Sequence, residues 1–273
     1  MEHNGASTDI TMKRTLIEKI PEPLPTEIER FIGSARVFDS SCSPEARVYF
    51  IERDGGYFLK LASRDSLAAE AEMTKYFHSK GLSAEVLSYQ SVGERDLLLT
   101  ARVAGEDCTH AQYLADPRRL CDVLGTKLRE LHELCASDCP VQDRMDGYIA
   151  LVEQNYSTEN YDKSHFPDSF GYRSANEAYE VFSQGKSLLK NEVLLHGDYC
   201  LPNVMLDDWR FSGFIDLGNG GVGDRHVDLF WGAWTLMFNL GTDEYRDRFF
   251  DAYGRDKIDL NKIKIIAAAE VFG

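Results

Sequence analysis

Three oxygen-bearing side chains, Asp198, Asn203 and Asp216, stand within the stretch HGDYCLPNVMLDDWRFSGFID, residues 196–216. A carboxylate and an amide oxygen are hard donors of the kind that hold Mg²⁺, and a further carboxylate beside such an ion can orient a hydroxyl. The chemistry to which the set points is phosphoryl transfer. After Asn203 come a short apolar strand (Val204 to Leu206), a polar turn (Asp207 to Arg210) and a second strand (Phe211 to Ile215) that ends at Asp216. Pairing symmetric about the Trp209–Arg210 midpoint would set Asn203 opposite Asp216, and directly opposed residues lie about 4.5 to 5.5 Å apart between Cα atoms. The two could then share one ion, with Asp198 just outside it. Asp207 and Asp208 read as ordinary turn residues, since Asp crowds turns for local hydrogen-bonding reasons.

The elements that position this set begin with a β-rich region. Arg47 to Glu52 alternates as a strand, Asp54-Gly55-Gly56 is a hairpin turn signal, and Tyr57 to Ala62 returns as a second strand. Alternation places Phe58 and Lys60 on one face of that strand. From Leu67 the period becomes helical, with Ser66 as N-cap, a stripe of Leu67, Ala71, Thr74 and Phe77, and Gly81 as terminator. Glu70 and Glu72 on this helix point in nearly opposite directions, so one of them faces Lys60, and spacing alone does not choose between them. A strand-like LLLTARV follows at 97–103, and after Gly105 the chain turns mainly helical, with Leu120, Leu124, Leu128 and Leu131 striping a long helix and further helices over Glu244 to Tyr253 and Lys262 to Phe272. The organisation expected is α+β and bilobal: a polar leader at 1–12, a small β-rich lobe at 13–104, and a larger helical lobe at 105–273, with phosphate chemistry at the junction.

Composition narrows the partners. With 43% hydrophobic and 27% charged residues, the 273-residue chain is long enough for one large or two modest domains, and disorder is not the default. A net charge of −15 argues against nucleic acid, which needs a basic face, and would favour a polycationic small molecule in an acidic cleft. Six cysteines without a CxxC pair read as reduced thiols, and the N-terminus lacks the apolar core of a signal peptide. The apolar run from Leu229 to Leu240 is too short and interrupted for a membrane span and reads as a buried helix. A cytoplasmic protein, monomeric or weakly dimeric, is expected.

Several residues carry a plainer reading. Lys60 alone would be a snorkelling edge-strand lysine, and only the face it shares with Phe58 and the helix acid lifts it above that. His196 reads as a packed structural histidine, Asp224 and Asp228 as acids that cap and anchor a helix start, and His226 as a helix residue. A literal GxGxxG at 218–223 has Asp243 twenty residues beyond its last glycine, but that acid precedes a helix and too little chain remains for a doubly wound sheet.

Taken together, these motifs resemble the aminoglycoside phosphotransferase family, specifically its 3'-phosphotransferase branch, whose fold is that of protein kinases. The resemblance spans SPEARVYF and YFLKLA, the helix with Glu70, SDCP at 137–140, HGDYCLPNVML, FSGFIDLGNGGVGDRHVDL, and the AEVFG terminus. It implies an N-terminal nucleotide-binding lobe and a C-terminal catalytic and substrate-binding lobe. It also implies ATP or GTP as co-substrate with Mg²⁺, and an aminoglycoside as the phosphorylated, polycationic substrate, hence antibiotic resistance. By the same resemblance, Lys60 contacts the α- and β-phosphates and Glu70 holds Lys60. Asp198 is the catalytic acid, Asn203 and Asp216 take the Mg²⁺ ions, Phe58 stacks on the base, and Ala101 and Val103 supply backbone groups to its edge. Ser43 sits over the phosphates, and Asp168, Glu270 and Phe272 contact substrate.

The chain departs from the family's pattern at the drug site. Asn219 stands where an arginine is usual, Ala269 replaces a usual acid, Gly273 is one residue extra, and the acidic loop around 160–170 offers only Asp162 and Asp168. A small-molecule alcohol kinase of the same fold is the alternative acceptor reading. Two other classes compete: a metal-dependent hydrolase built from His196, Asp198, Asp216 and His226, and a nucleotide-binding pseudokinase. Lys60, Phe58 and the β-rich lobe have no task in the first, and the intact lysine, acid and amide argue against the second.

Overall fold

The computed structural model describes residues 14–42, 44–162 and 170–273. The expected leader, Ser43 and Asp168 lie outside the described residues.

Alternation of large apolar side chains builds the first sheet. Strands β1 (Thr15–Ile17), β2 (Arg36–Asp39), β3 (Ala46–Glu52), β4 (Tyr57–Ser63), β5 (Val86–Val92) and β6 (Arg95–Ala101) pair antiparallel in the order β1-β2-β3-β4-β6-β5. Tyr49 and Ile51, Leu59 and Leu61, and Leu97 and Leu99 pack on one face, against Ile28 of helix α1 (Thr26–Ile32). Period-two alternation sends Phe58 and Lys60 to the other face, where Lys60 is paired with Leu98. Helix α2 (Ala68–Ser79) covers that face, with Leu67 and Ala71 clustered on Leu98.

The start of α2 differs from expectation. Its N-cap is Leu67, with no side-chain cap, and the Leu67 amide donates to the Asp96 carboxylate on β6, 3.0 Å away. Ser66 instead gives its hydroxyl to the Ser63 carbonyl. The capping acceptor comes from 29 residues downstream in sequence, which helical spacing does not reveal.

Past Ala101 the chain leaves this sheet and β7 (Glu106–Asp107) joins a second one, in the order β10-β9-β7 with β9 (Val204–Asp207) and β10 (Arg210–Phe214). The linker presses on β9 at Gly105, where φ is +83° and an added Cβ would stand 2.0 Å from the Leu206 carbonyl oxygen, so only glycine fits. Two backbone contacts tie α2 and its following loop to β10: the Phe214 amide donates to the Leu82 carbonyl at 2.7 Å, and Ser83 bridges Phe214.

The second lobe is helical around these short strands. Helix α3 (Ala111–Leu114) leads into α4 (Pro117–His132), whose Leu120, Leu124, Leu128 and Leu131 are buried in the core with Phe249 and Phe250. It is followed by α5 (Arg144–Ser157), α6 (Ala175–Gly185), the two-stranded pair of β8 (Val193–Leu195) and β11 (Gly221–Gly223), α7 (His226–Leu240), α8 (Arg246–Tyr253) and α9 (Leu260–Ala269). The apolar run lies in α7, mostly buried through Leu236 with Trp231 and Trp234 half-buried, and exposed at Met237 and Phe238. Among the described residues no helix is long and apolar enough to cross a membrane. The GxGxxG stretch contributes β11, antiparallel to β8, and Asp243 pairs with Arg246 at 2.9 Å, so no dinucleotide crossover is built from it.

Candidate active site

The loop after β8 presents Asp198, and a buried acid from α7 holds that loop. Asp228, fully buried, accepts from the His196 amide and from the Gly197 amide, both at 2.8 Å. The same carboxylate faces His132 Nε2 at 3.1 Å, and His132 Nδ1 meets the Tyr253 hydroxyl at 2.9 Å. Burial, only partly offset by Asp228, pushes the His132 pKa down, so the neutral ring donates from Nε2 and accepts at Nδ1. Asp228 is therefore more than a helix-start acid. The sequence signal was an acid inside an otherwise apolar helix, and such a residue needs buried partners.

Gly197 adopts φ +86° where an added Cβ would be 1.9 Å from the Asn219 carbonyl oxygen, so the loop folds directly onto the IDLGN segment. His196 is fully buried, as read from the sequence, with Nδ1 accepting the Asp198 amide at 3.3 Å. His226 is not just a helix residue: its Nδ1 hydrogen-bonds Asp224 at 2.5 Å and its Nε2 accepts the Asp259 amide at 2.8 Å. Both ring nitrogens being engaged, His226 is no metal ligand and the hydrolase set dissolves.

Asn203 donates its side-chain amide to the Asp198 carbonyl at 3.0 Å and to Asp198 Oδ2 at 2.8 Å. Those bonds fix which end of the amide is nitrogen, leaving the Asn203 side-chain oxygen as the acceptor. The hairpin register differs from expectation by one. Asp208 and Trp209 form the turn, with φ +46° and +67°, so Asp207 pairs with Arg210 and Leu206 with Phe211. A bulge between Phe211 and Gly213 then resets the pairing, and the Ile215 amide donates to the Asn203 carbonyl at 3.1 Å. Asn203 therefore faces Ile215, not Asp216. The left-handed two-residue turn matches strand twist and displaces the axis of symmetry that a polar tetrapeptide suggests. Asp216 is itself left-handed, φ +58°, and its carboxylate accepts from Lys60 Nζ at 3.0 Å.

Lys60 joins the two lobes. Its ammonium donates to Glu70 Oε2 at 2.7 Å as well as to Asp216, while Glu72 is exposed. Burial works against the Lys60 charge, but the Glu70 and Asp216 carboxylates outweigh it and hold its pKa above the ordinary lysine value. Phe58, half-buried, lies across from Phe50 at 5.2 Å between ring centroids, and the Arg14 guanidinium sits 4.0 Å over Phe50 and 5.6 Å over Phe58. In the linker, the Ala101 amide donates to the Glu85 carbonyl and the Arg102 amide to the Gly56 carbonyl.

On the far side of Asp198 opens a cavity of about 350 Å³, lined by Asp198, Arg144, Tyr148, Asn219, Trp231 and Glu270 among others. The nearly buried Glu270 accepts from the Tyr148 hydroxyl at 2.7 Å. Burial above all, with the nearby Asp198 charge, raises its pKa to about 7, despite hydrogen bonds from Tyr148 and Trp231. Phe272 is displaced from the expected contact. Its ring is fully buried edge-on against Tyr156 and Tyr161, and its carbonyl accepts from Asn155, so the aromatic cluster claims it and Gly273 lines the cavity instead.

With a lysine–acid pair on one lobe, an acid–amide hairpin on the other and a cavity beyond, the comparison with known proteins is decisive. The phosphotransferase enzyme family matches over residues 36–264. The chain belongs to that family. This phosphotransferase is 50% identical over 266 residues to the probable aminoglycoside 3'-phosphotransferase of Lactococcus lactis subsp. lactis (strain IL1403), covering 97% of this chain and 100% of that protein. It is 27% identical to the aminoglycoside 3'-phosphotransferase of Niallia circulans, over 79% of this chain and 83% of that one. The crystal structure of aminoglycoside-3'-phosphotransferase of type VIII superposes with a TM-score of 0.73 at 22% identity, covering 85% and 91% of the two chains. A complex of APH(3'')-Id from Streptomyces rimosus with ADP and streptomycin gives 0.71 at 23% identity, covering 83% and 90%. The phosphotransferase thus has the bilobal kinase-like α+β fold of these enzymes.

Proposed function

We propose that this phosphotransferase moves the γ-phosphoryl group of ATP or GTP, held with Mg²⁺, to the 3'-hydroxyl of an aminoglycoside, and so confers resistance. The observation that carries the reading is Asp198, bonded to Asn203 on one side and lining the cavity on the other. The names of the relatives and the ADP–drug complex of a structural neighbour support the same substrates.

The residues present fit Mg²⁺. Asp216 offers a half-exposed carboxylate and Asn203 an amide whose nitrogen is already committed, so both present hard oxygen donors. Held by those two side chains, Mg²⁺ would supply positive charge to neutralise the charge that develops on the transferred group. Lys60, tethered by Glu70, supplies a fixed cation for the α- and β-phosphates, with Phe58 as a stacking face and the Val103 backbone at the base edge. Asp198 orients the acceptor hydroxyl in line. As the new oxygen–phosphorus bond forms and the bond to the β-phosphate oxygen breaks, the hydroxyl proton passes late to Asp198. Soluble cytoplasmic action as a monomer or weak homodimer accords with this role.

Incubating purified protein and Mg²⁺ with ATP or GTP and a panel of aminoglycosides tests the reading by mass. A gain of one phosphate on drugs bearing a 3'-hydroxyl, and none on 3'-deoxy drugs, is the expected result. Turnover only with another small alcohol would move the acceptor, not the reaction class.

Glu270 supplies a pH test. Its carboxyl is largely neutral below about 7 and charged above, so the KM for a cationic acceptor should fall as pH rises through that value. Glu270→Gln should flatten the profile. Stability moves the other way. A carboxyl with a raised folded pKa binds more protons folded than unfolded, so its contribution declines as pH climbs from the ordinary carboxylate range toward about 7, a slope that thermal melts of the two proteins would reveal.

A further inference from the structure

The acceptor cavity holds one cation among its described lining residues, Arg144, and among the described residues it makes no ion pair within 4.0 Å. Arg144, at the first position of α5, is half-buried and donates from Nη2 to the neutral side-chain oxygen of Asn219 at 2.6 Å. Glu270 and Asp198 line the same cavity, and the Glu270 carboxylate acts on the guanidinium only at longer range, offsetting part of the cost of its burial. Burial lowers its pKa from the ordinary arginine value, yet a guanidinium stays charged. A charge retained at that cost, beside a neutral amide, in a cavity for a polycation, is a selective feature. Five N–H donors on one planar group suit oxygen acceptors and repel another cation.

We propose that Arg144 sets acceptor specificity: with Asn219 it forms a corner that takes a hydroxyl or ether oxygen and disfavours an ammonium, so acceptors with fewer amino groups on the phosphorylated ring are preferred. This rests on the aminoglycoside reading above. Asn219 keeps the corner cationic, because an amide oxygen orients the guanidinium without neutralising it. Glu270, across the cavity, remains the acid available to an ammonium elsewhere on the acceptor.

The test uses two aminoglycosides identical except for –OH or –NH₃⁺ at one position of the ring that carries the 3'-hydroxyl. For the natural protein, kcat/KM should favour the hydroxyl form by about fivefold or more, a modest outcome for a like-charge contact. Arg144→Met should lower that ratio by about fivefold or more, chiefly through a better KM for the ammonium form, whereas Arg144→Lys, which keeps the charge, should preserve it. Asn219→Asp provides an independent variant that decides the matter if Arg144→Met does not fold: it sets a carboxylate against the guanidinium and should shift the ratio the same way. Ratios within about twofold of the natural protein in the folded variants, or a natural preference for the ammonium form, would overturn the inference. Phosphorylation of both drugs with unchanged ratios defeats this inference alone, while phosphorylation of neither defeats the aminoglycoside reading on which it stands.

Discussion

Asp198→Ala is expected to lower kcat by about a hundredfold or more, the lower end of what a positioned general base supplies. Nucleotide affinity should hold. The Lys60–Glu70–Asp216 cluster does not depend on Asp198, and Asn203 keeps one of its two bonds, to the residue-198 carbonyl, when the side chain is removed. Steady-state rates against acceptor, with a separate titration of nucleotide, separate the two effects. Turnover near that of the unaltered protein would remove Asp198 from the reaction, and an equal loss in nucleotide binding would mean that the carboxylate organises the hairpin that bears Asn203 instead of the hydroxyl. Asp198→Asn sharpens the comparison, because it preserves size but can set one amide group against the Asn203 amide.

Asp228→Ala should act through folding as much as through rate. The carboxylate is fully buried and satisfies the His196 and Gly197 amides and the His132 ring, so its removal strands two buried donors and a third, the Gly197 amide, that is part-buried beside the cavity. Each buried stranded donor costs about 1–3 kcal/mol, so a loss of about 2 kcal/mol or more is expected, read as a lower denaturant midpoint. The loop that carries Asp198 loses its anchor in the same step, so kcat should fall in whatever protein remains folded. Asp228→Asn offers a carbonyl to one donor and should lie between. A melting curve unchanged by Asp228→Ala would show that the loop is held by other contacts, such as the approach of Gly197 to Asn219.

Much of the scaffold was legible because it rests on local periodicity. Alternation in β3 and β4 decided that Phe58 and Lys60 share a face, and the stripe of α2 and the four leucines of α4 decided which sides of those helices are buried. Such patterns depend only on 2.0- and 3.6-residue repeats, so a linear reading recovers them. The candidate set was legible for a related reason: acid, amide and acid lie within one hairpin. Its register was not, because Asp208 and Trp209 enter left-handed conformations without the glycine that would announce them, and the bulge after Phe211 leaves no mark in the hydrophobic pattern.

Residue type and spacing, then, determined the two-lobed architecture, the face that carries Lys60 and the loop that carries Asp198, since each follows from contacts between near neighbours in the chain. Tertiary structure, not spacing, decided that Glu70 rather than Glu72 meets Lys60 and that Asp96 caps α2. It also decided that Asp228 suspends the loop that carries Asp198, that the core takes Phe272, and that Arg144, with no ion pair within 4.0 Å among the described residues, meets Asn219. Each of those depends on a partner brought from elsewhere in the chain. A hydrogen bond or an ion pair constrains both ends in space, and no repeat along the sequence encodes the distance between them.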